Sequence, residues 1–219
     1  MERQNKLKDS LLAFFHNLFD LMVVNCLWLL CCLPVVTVGP ATCGLYTVTL
    51  KLAREEPVNP VKDFFRGIKE NVKAGFLLGV TAILLLTAAA GDVWLALQLS
   101  GWLRDLYLVV AVIVAVIFLI LISYTFALQA MFDAPLKQQI LNAFKLAVIA
   151  PGKTVLLWLI LLIPVIAALI LPPLAVRMLG FLYLVVGFSG PAYGASHILH
   201  SIFDRVNGSS METVPPTSE

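Results

Sequence analysis

The chain has 219 residues, of which 60% are hydrophobic and 13% charged, with a formal charge of +2. Ordinary globular chains carry roughly 45–50% apolar and about 25% charged residues, so this composition excludes an ordinary soluble domain. A charge so close to neutral gives no case for binding nucleic acid.

Five stretches lack Asp, Glu, Lys and Arg: 21–50, 74–91, 106–132, 154–176 and 178–203. Each reaches or exceeds the roughly 18 apolar residues that read as a membrane-spanning candidate. The N-terminal charges Arg3, Lys6 and Lys8 precede a polar stretch with His16, Asn17 and Asp20. The apolar run that follows outlasts a signal-peptide core, so it reads as a retained anchor.

The first run, 21–50, would measure about 45 Å as one helix, against a hydrocarbon core of about 30 Å. It is interrupted at Pro34 and at Gly39-Pro40. Basic residues favour cytoplasmic connectors. Three precede this run and six follow it: Lys51, Arg54, Lys62, Arg66, Lys69 and Lys73. A single crossing would part these two clusters. The expected solution is a helix rising to about Pro34, a turn over 35–40, and a shorter helix returning over about 41–54. A single tilted crossing is the alternative.

Next comes an amphipathic segment. Val61, Phe64, Phe65, Ile68 and Val72 make its apolar stripe, and Asn59-Pro60 supplies an N-cap and first helical residue. A spanning helix over about 74–99 follows, with Trp94 and Trp102 suited to an outer aromatic belt. The next span runs over about 106–132. A second amphipathic segment has Leu136, Ile140, Leu141, Phe144 and Val148 as its stripe. Spans over about 154–171 and 174–197 complete the bundle, separated by Pro172-Pro173. Both amphipathic segments read as anchoring elbows on the inner membrane surface, or as docking surfaces for a partner. The expected fold is therefore all-α: a polytopic transmembrane bundle of about five spanning helices, a short returning helix after the first, and two cytoplasmic interfacial helices. Residues 1–205 form its single domain, and 206–219, rich in Ser, Thr and Pro, a disordered tail.

Two echoes suggest an internal repeat. Trp28 to Pro34-Val35 recurs with identical spacing as Trp158 to Pro164-Val165, and Gly39-Pro40-Ala41 as Gly190-Pro191-Ala192. Paired helices interrupted by Gly and Pro can mark a transporter's binding site. Coincidence is the other reading, since Trp, Leu and Pro are frequent in membrane helices.

No Walker A loop, nucleophile elbow or His-Glu-x-x-His helix is present, so no enzyme activity is expected. Cys26, Cys31, Cys32 and Cys43 follow no zinc spacing and read as packing residues. Asn17 and Asp20 share a helical face, with Asn25 deeper. Polar groups at membrane depth serve either a substrate path or helix-to-helix hydrogen bonding. His197, His200 and Asp204 share another face, which reads as solvated. No metal or cofactor is expected.

The stretch Phe14-Phe15-His16-Asn17-Leu18-Phe19-Asp20-Leu21 continues through Asn25-Cys26-Leu27-Trp28 and Cys31-Cys32-Leu33-Pro34 to Gly39-Pro40-Ala41. With Tyr46 to Arg54 and the Phe64-Phe65-Arg66 to Asn71 elbow, it resembles the YesL family, also called domain-of-unknown-function family 624. The resemblance covers the chain to about residue 75 and is looser beyond. It implies a small bacterial plasma-membrane protein associated with carbohydrate use and sugar ABC importers. Asn17, Asp20, Asn25, Pro34, Gly39 and Pro40 are its motif positions and the candidate functional residues. The expected function is an accessory or permease-like component of carbohydrate uptake, with a membrane scaffold or sensor as the alternative. Expected partners are the lipid bilayer and either ABC-type sugar transporter subunits or a second copy of the chain. Both termini are expected in the cytoplasm.

Overall fold

Pro34 divides the first apolar run, because it has no N–H to extend a helix and biases the residue before it toward extended backbone. In the computed structural model, which describes residues 2–132, 135–149, 151–156, 159, 180 and 185–211, helix α1 (Glu2–Cys31) ends just before it. A 3-10 turn over Val35–Thr37 follows, and α2 (Val38–Ala53) starts at once. The break therefore falls earlier than the sequence pattern indicated. Gly39-Pro40 is not part of the turn but lies in the first helical turn of α2. Proline is tolerated there, since the first N–H groups of a helix have no acceptor within it.

The chain doubles back across this break. Trp28 donates its indole N–H to the Thr42 hydroxyl over 3.3 Å. Fourteen residues of straight helix would put those two positions about 21 Å apart.

Among the described residues follow α3 (Pro60–Glu70), α4 (Val72–Gln98), α5 (Trp102–Met131), α6 (Leu136–Ile149) and, after the expected fourth span, the helix labelled α7 (Ser189–Met211). No strand occurs among the described residues. Among the described residues, four segments are long and apolar enough to cross a membrane: Leu11–Cys31, Val35–Ala53, Val72–Gln98 and Trp102–Met131. Most of the expected spans at 154–171 and 174–197, with Trp158 and Pro164 of the echo, lies outside the described residues. A turn at residues 187–188 interrupts the later of these spans, and Gly190-Pro191 opens a new helix instead of lying mid-span. α7 runs to Met211, and residues 212–219 of the expected tail lie outside the described residues.

The contacts group into two compact units. The first gathers residues 1–27, 45–64 and 150–219, and the second 28–44 and 65–149. In the second, α4 and α5 form a long hairpin. Its tight connection needs the positive φ of Gly101 (67°), which a residue with a Cβ adopts at a cost. Tyr107 at the start of α5 donates its hydroxyl to Asp92 of α4 over 3.0 Å.

α5 changes character along its length. Trp102, Leu106, Val110, Ile113 and Ile117 are exposed, whereas every residue of 124–129 is buried. An exposed apolar helix face this long has lipid as its natural solvent.

The amphipathic segments differ from their expected patterns. Asn59 does cap α3, accepting the Lys62 N–H over 3.0 Å, while Asp63 reaches back to accept the Asn59 N–H over 3.0 Å. The α3 stripe splits: Phe64 is fully buried, but Val61 and Phe65 are about half exposed. In α6 the expected stripe points away from the core. Gln139, Ala143 and Leu146 are buried, and Ile140, Leu141, Phe144 and Val148 are exposed.

Candidate functional site: a capped helix junction and a glycine crossing

The six motif residues fall into two groups, one in each unit. In the first unit Asn25 sits on α1, fully buried. The start of α7 brings backbone donors that have no acceptor within the helix. The Asn25 side-chain oxygen accepts two such N–H groups, from Phe188 over 3.0 Å and from Ser189 over 3.1 Å. A helix cap is normally supplied by its own flanking residue. Here it comes from a residue 164 positions away in sequence.

Two turns along α7, Ser196 meets Thr49 of α2, oxygen to oxygen at 2.9 Å, and also lies 2.8 Å from the Ala192 carbonyl. A hydroxyl has one proton. Donation to Ala192 leaves Ser196 to accept from Thr49, and both buried hydroxyls are then satisfied.

Asp20 is buried, and its Oδ2 lies 3.7 Å from His16 Nε2, whose side chain is exposed one turn earlier on α1. That oxygen makes no hydrogen bond among the described residues, nor does the buried Ser189 hydroxyl. Asn17 is part-buried beside them in sequence.

The same unit holds an ion pair. Lys51, in the last turn of α2, meets Asp63 in the first turn of α3 at 2.9 Å, with 23% and 8% of the two side chains exposed. Asp63 thus braces the α3 start and the α2 end together. Removing one member of a pair this enclosed leaves a poorly solvated charge behind.

In the second unit Pro34 is exposed and extended, and its carbonyl accepts both the backbone N–H and the hydroxyl of Thr37, at 3.0 and 2.7 Å. The Thr37 hydroxyl also reaches the Cys31 carbonyl, which the end of α1 leaves unpaired. Gly39 and Pro40 are buried. A Cβ on Gly39 would strike the Gly75 carbonyl oxygen and lie 2.9 Å from the Gly79 Cα. One on Gly75 would lie 2.8 Å from the Pro40 Cα. The start of α2 therefore crosses α4 backbone to backbone. The crossing falls on a Gly-x-x-x-Gly pair, the pattern by which membrane helices approach closely.

Buried amides hold the far end of the same unit. Gln129 of α5 donates to Asn71 over 3.1 Å, and Asn71 donates to the Gly67 carbonyl over 3.1 Å. Gln139 of α6 donates to the Phe132 carbonyl over 2.8 Å.

The structure thus keeps Asn17, Asp20 and Asn25 in one unit and brings Gly39 and Pro40 together with Gly75 and Gly79 in the other. Sequence reading missed Gly75, Gly79, Gln129, Thr49 and Ser196. Two signals were available: the glycine spacing itself, and an amide inside an uncharged apolar run. The cysteines are all free, with Cys43 buried and Cys26 exposed. His197 packs edge-on against Tyr193 at 4.7 Å between ring centroids, and the Asp204 side chain lies outside the described residues. Among the described residues no cluster of three or more metal-ligating side chains occurs.

Helices of spanning length, a glycine-mediated crossing and amide bonds between helices define a helical membrane protein. Residues 21–93 match the model of a family described as a protein of unknown function, DUF624. That segment is similar to the family, and the resemblance read from the N-terminal motif agrees with the match over these residues. Asn25, Pro34, Gly39, Pro40, Lys51, Asp63, Gly75 and Gly79 lie inside the match; Asn17 and Asp20 lie just before it. No curated protein and no solved structure matches the chain.

Proposed function

We propose that this chain is an accessory component of bacterial carbohydrate uptake, without a catalytic step or cofactor of its own. It has about five spanning helices and a short returning helix after the first, with both termini, α3 and α6 on the cytoplasmic side. The observation that supports an accessory part over a solute path is how three of its buried polar contacts are made. Asn25 caps α7, Gln129 bonds Asn71, and Thr49 meets Ser196. These groups hold helices together instead of facing a lumen. The carbohydrate link comes from the YesL resemblance of the N-terminal stretch. A membrane scaffold or sensor is the second reading, and the same engagement of polar groups favours it.

Purification from native membranes in mild detergent separates the two. Co-purified ATPase and permease subunits of a sugar importer support the first reading. A stable complex with unrelated membrane proteins supports the second. Sugar uptake by proteoliposomes holding this chain alone would overturn both and make it a permease. Reporter fusions at each end test the topology, and an N-terminus on the outer side would sink it.

A further inference from the structure

α6 presents an unusual surface. Its inward arc is narrow, made of Gln139, Ala143 and Leu146. Leu136, Asn142 and Ala147 are half-buried and the remaining residues face out, including Leu141 and Phe144, which are 54% and 55% exposed. Lys137 and Lys145 stand one turn before and one turn after Leu141, and no acidic residue occurs in 136–149. Gln138 and Asn142 lie beside them in the adjoining column. These residues and Pro135 border one open, shallow hollow on the surface of α6. Among the described residues neither lysine side chain has a hydrogen bond or ion pair.

We propose that α6 carries a binding site for an anionic lipid headgroup, formed by Lys137, Gln138, Asn142 and Lys145, with acyl chain lying over Leu141 and Phe144. Charge complementarity selects the occupant. Two ammonium groups on flexible stems draw a phosphate, the two amides suit its ester and hydroxyl oxygens, and the apolar residues beside them suit hydrocarbon. A protein partner would have to cover the same apolar arc with an acidic face, whereas the inner leaflet supplies both chemistries at once. The site rests on the reading that α6 lies at the cytoplasmic interface, and it adds the lipid class.

The test is native mass spectrometry of the full chain in non-ionic detergent, titrated with phosphatidylglycerol or phosphatidylcholine. Wild type is expected to retain phosphatidylglycerol preferentially. Lys137→Gln with Lys145→Gln should weaken that retention roughly thirtyfold, at about 1 kcal/mol for each lysine. Lys137→Arg with Lys145→Arg keeps the charge and should keep the lipid, which separates a lost site from a damaged fold. Lys62→Gln with Arg66→Gln on α3 should leave retention unchanged. Inorganic phosphate at millimolar concentration should not displace the lipid; displacement would make the site one for free phosphate and overturn the proposal. Equal retention of both lipids, or no loss in the double Gln variant, would also overturn it. A spin label at position 144, in a background lacking the native cysteines, tests the underlying placement separately. Contact with a lipid-phase quencher but no lipid preference rejects the site and keeps the interfacial reading. A water-exposed label rejects both.

Discussion

The same tripeptide opens two helices and does different work in each. Gly39-Pro40-Ala41 and Gly190-Pro191-Ala192 both occupy the second to fourth residues of a helix, α2 and α7. In both, proline stands where a missing N–H costs little. At α2 the glycine has backbone against it, and a Cβ would meet Gly75 and Gly79. At α7 a Cβ on Gly190 would meet the Val186 Cγ1 at 3.3 Å, a side-chain methyl that a small shift relieves. What distinguishes the α7 start is the remote cap from Asn25. A shared sequence pattern therefore fixes the same local conformation, while neighbours distant in sequence decide what the glycine is for.

The sharpest way to break this comparison is one substitution made at both sites. Gly39→Ala is expected to cost about 3 kcal/mol, because backbone cannot step aside as a side chain can. The reading is a large fall in the thermal midpoint of detergent-solubilised protein; an unchanged midpoint would mean that the α2–α4 approach is looser than described. Asn25→Ala comes next. It leaves the buried Ser189 N–H and the part-buried Phe188 N–H without their acceptor, at about 2 kcal/mol in total. Hydrogen exchange should speed up at Phe188 and Ser189 first, and uniform protection there would remove Asn25 as the cap. Gly190→Ala is expected to change stability by less than about 1 kcal/mol, since the helix-propensity gain offsets the small shift of Val186. Should it prove as damaging as Gly39→Ala, the contrast between the two helix starts fails.

The sequence carried the helical class, the break near Pro34 and the Asn59 cap of α3 plainly, because each rests on local chemistry. A proline lacks its donor and an Asn-Pro pair suits a helix start wherever they stand. Gly39 was legible as an interruption but not as a crossing point, since its partners Gly75 and Gly79 belong to another helix. The α6 stripe shows the same limit from the other side. Its periodicity revealed an apolar face, but periodicity alone does not tell whether protein or lipid covers that face. Asn25 stood out as polar, yet nothing local connects it with residue 188 or 189. Lys51 was counted with the basic connector, although Asp63 meets it at 2.9 Å.

The cap between Asn25 and α7 also sets a timetable. Ribosomes add roughly 5–20 residues each second, and 164 residues separate Asn25 from Ser189. The Asn25 amide is therefore made roughly 8–30 s before the N–H groups that it accepts. During that interval α1 carries an amide whose final partners do not yet exist. One of the earliest helices to be made is among the last to be completed, and the insertion machinery handles it meanwhile as an unfinished piece.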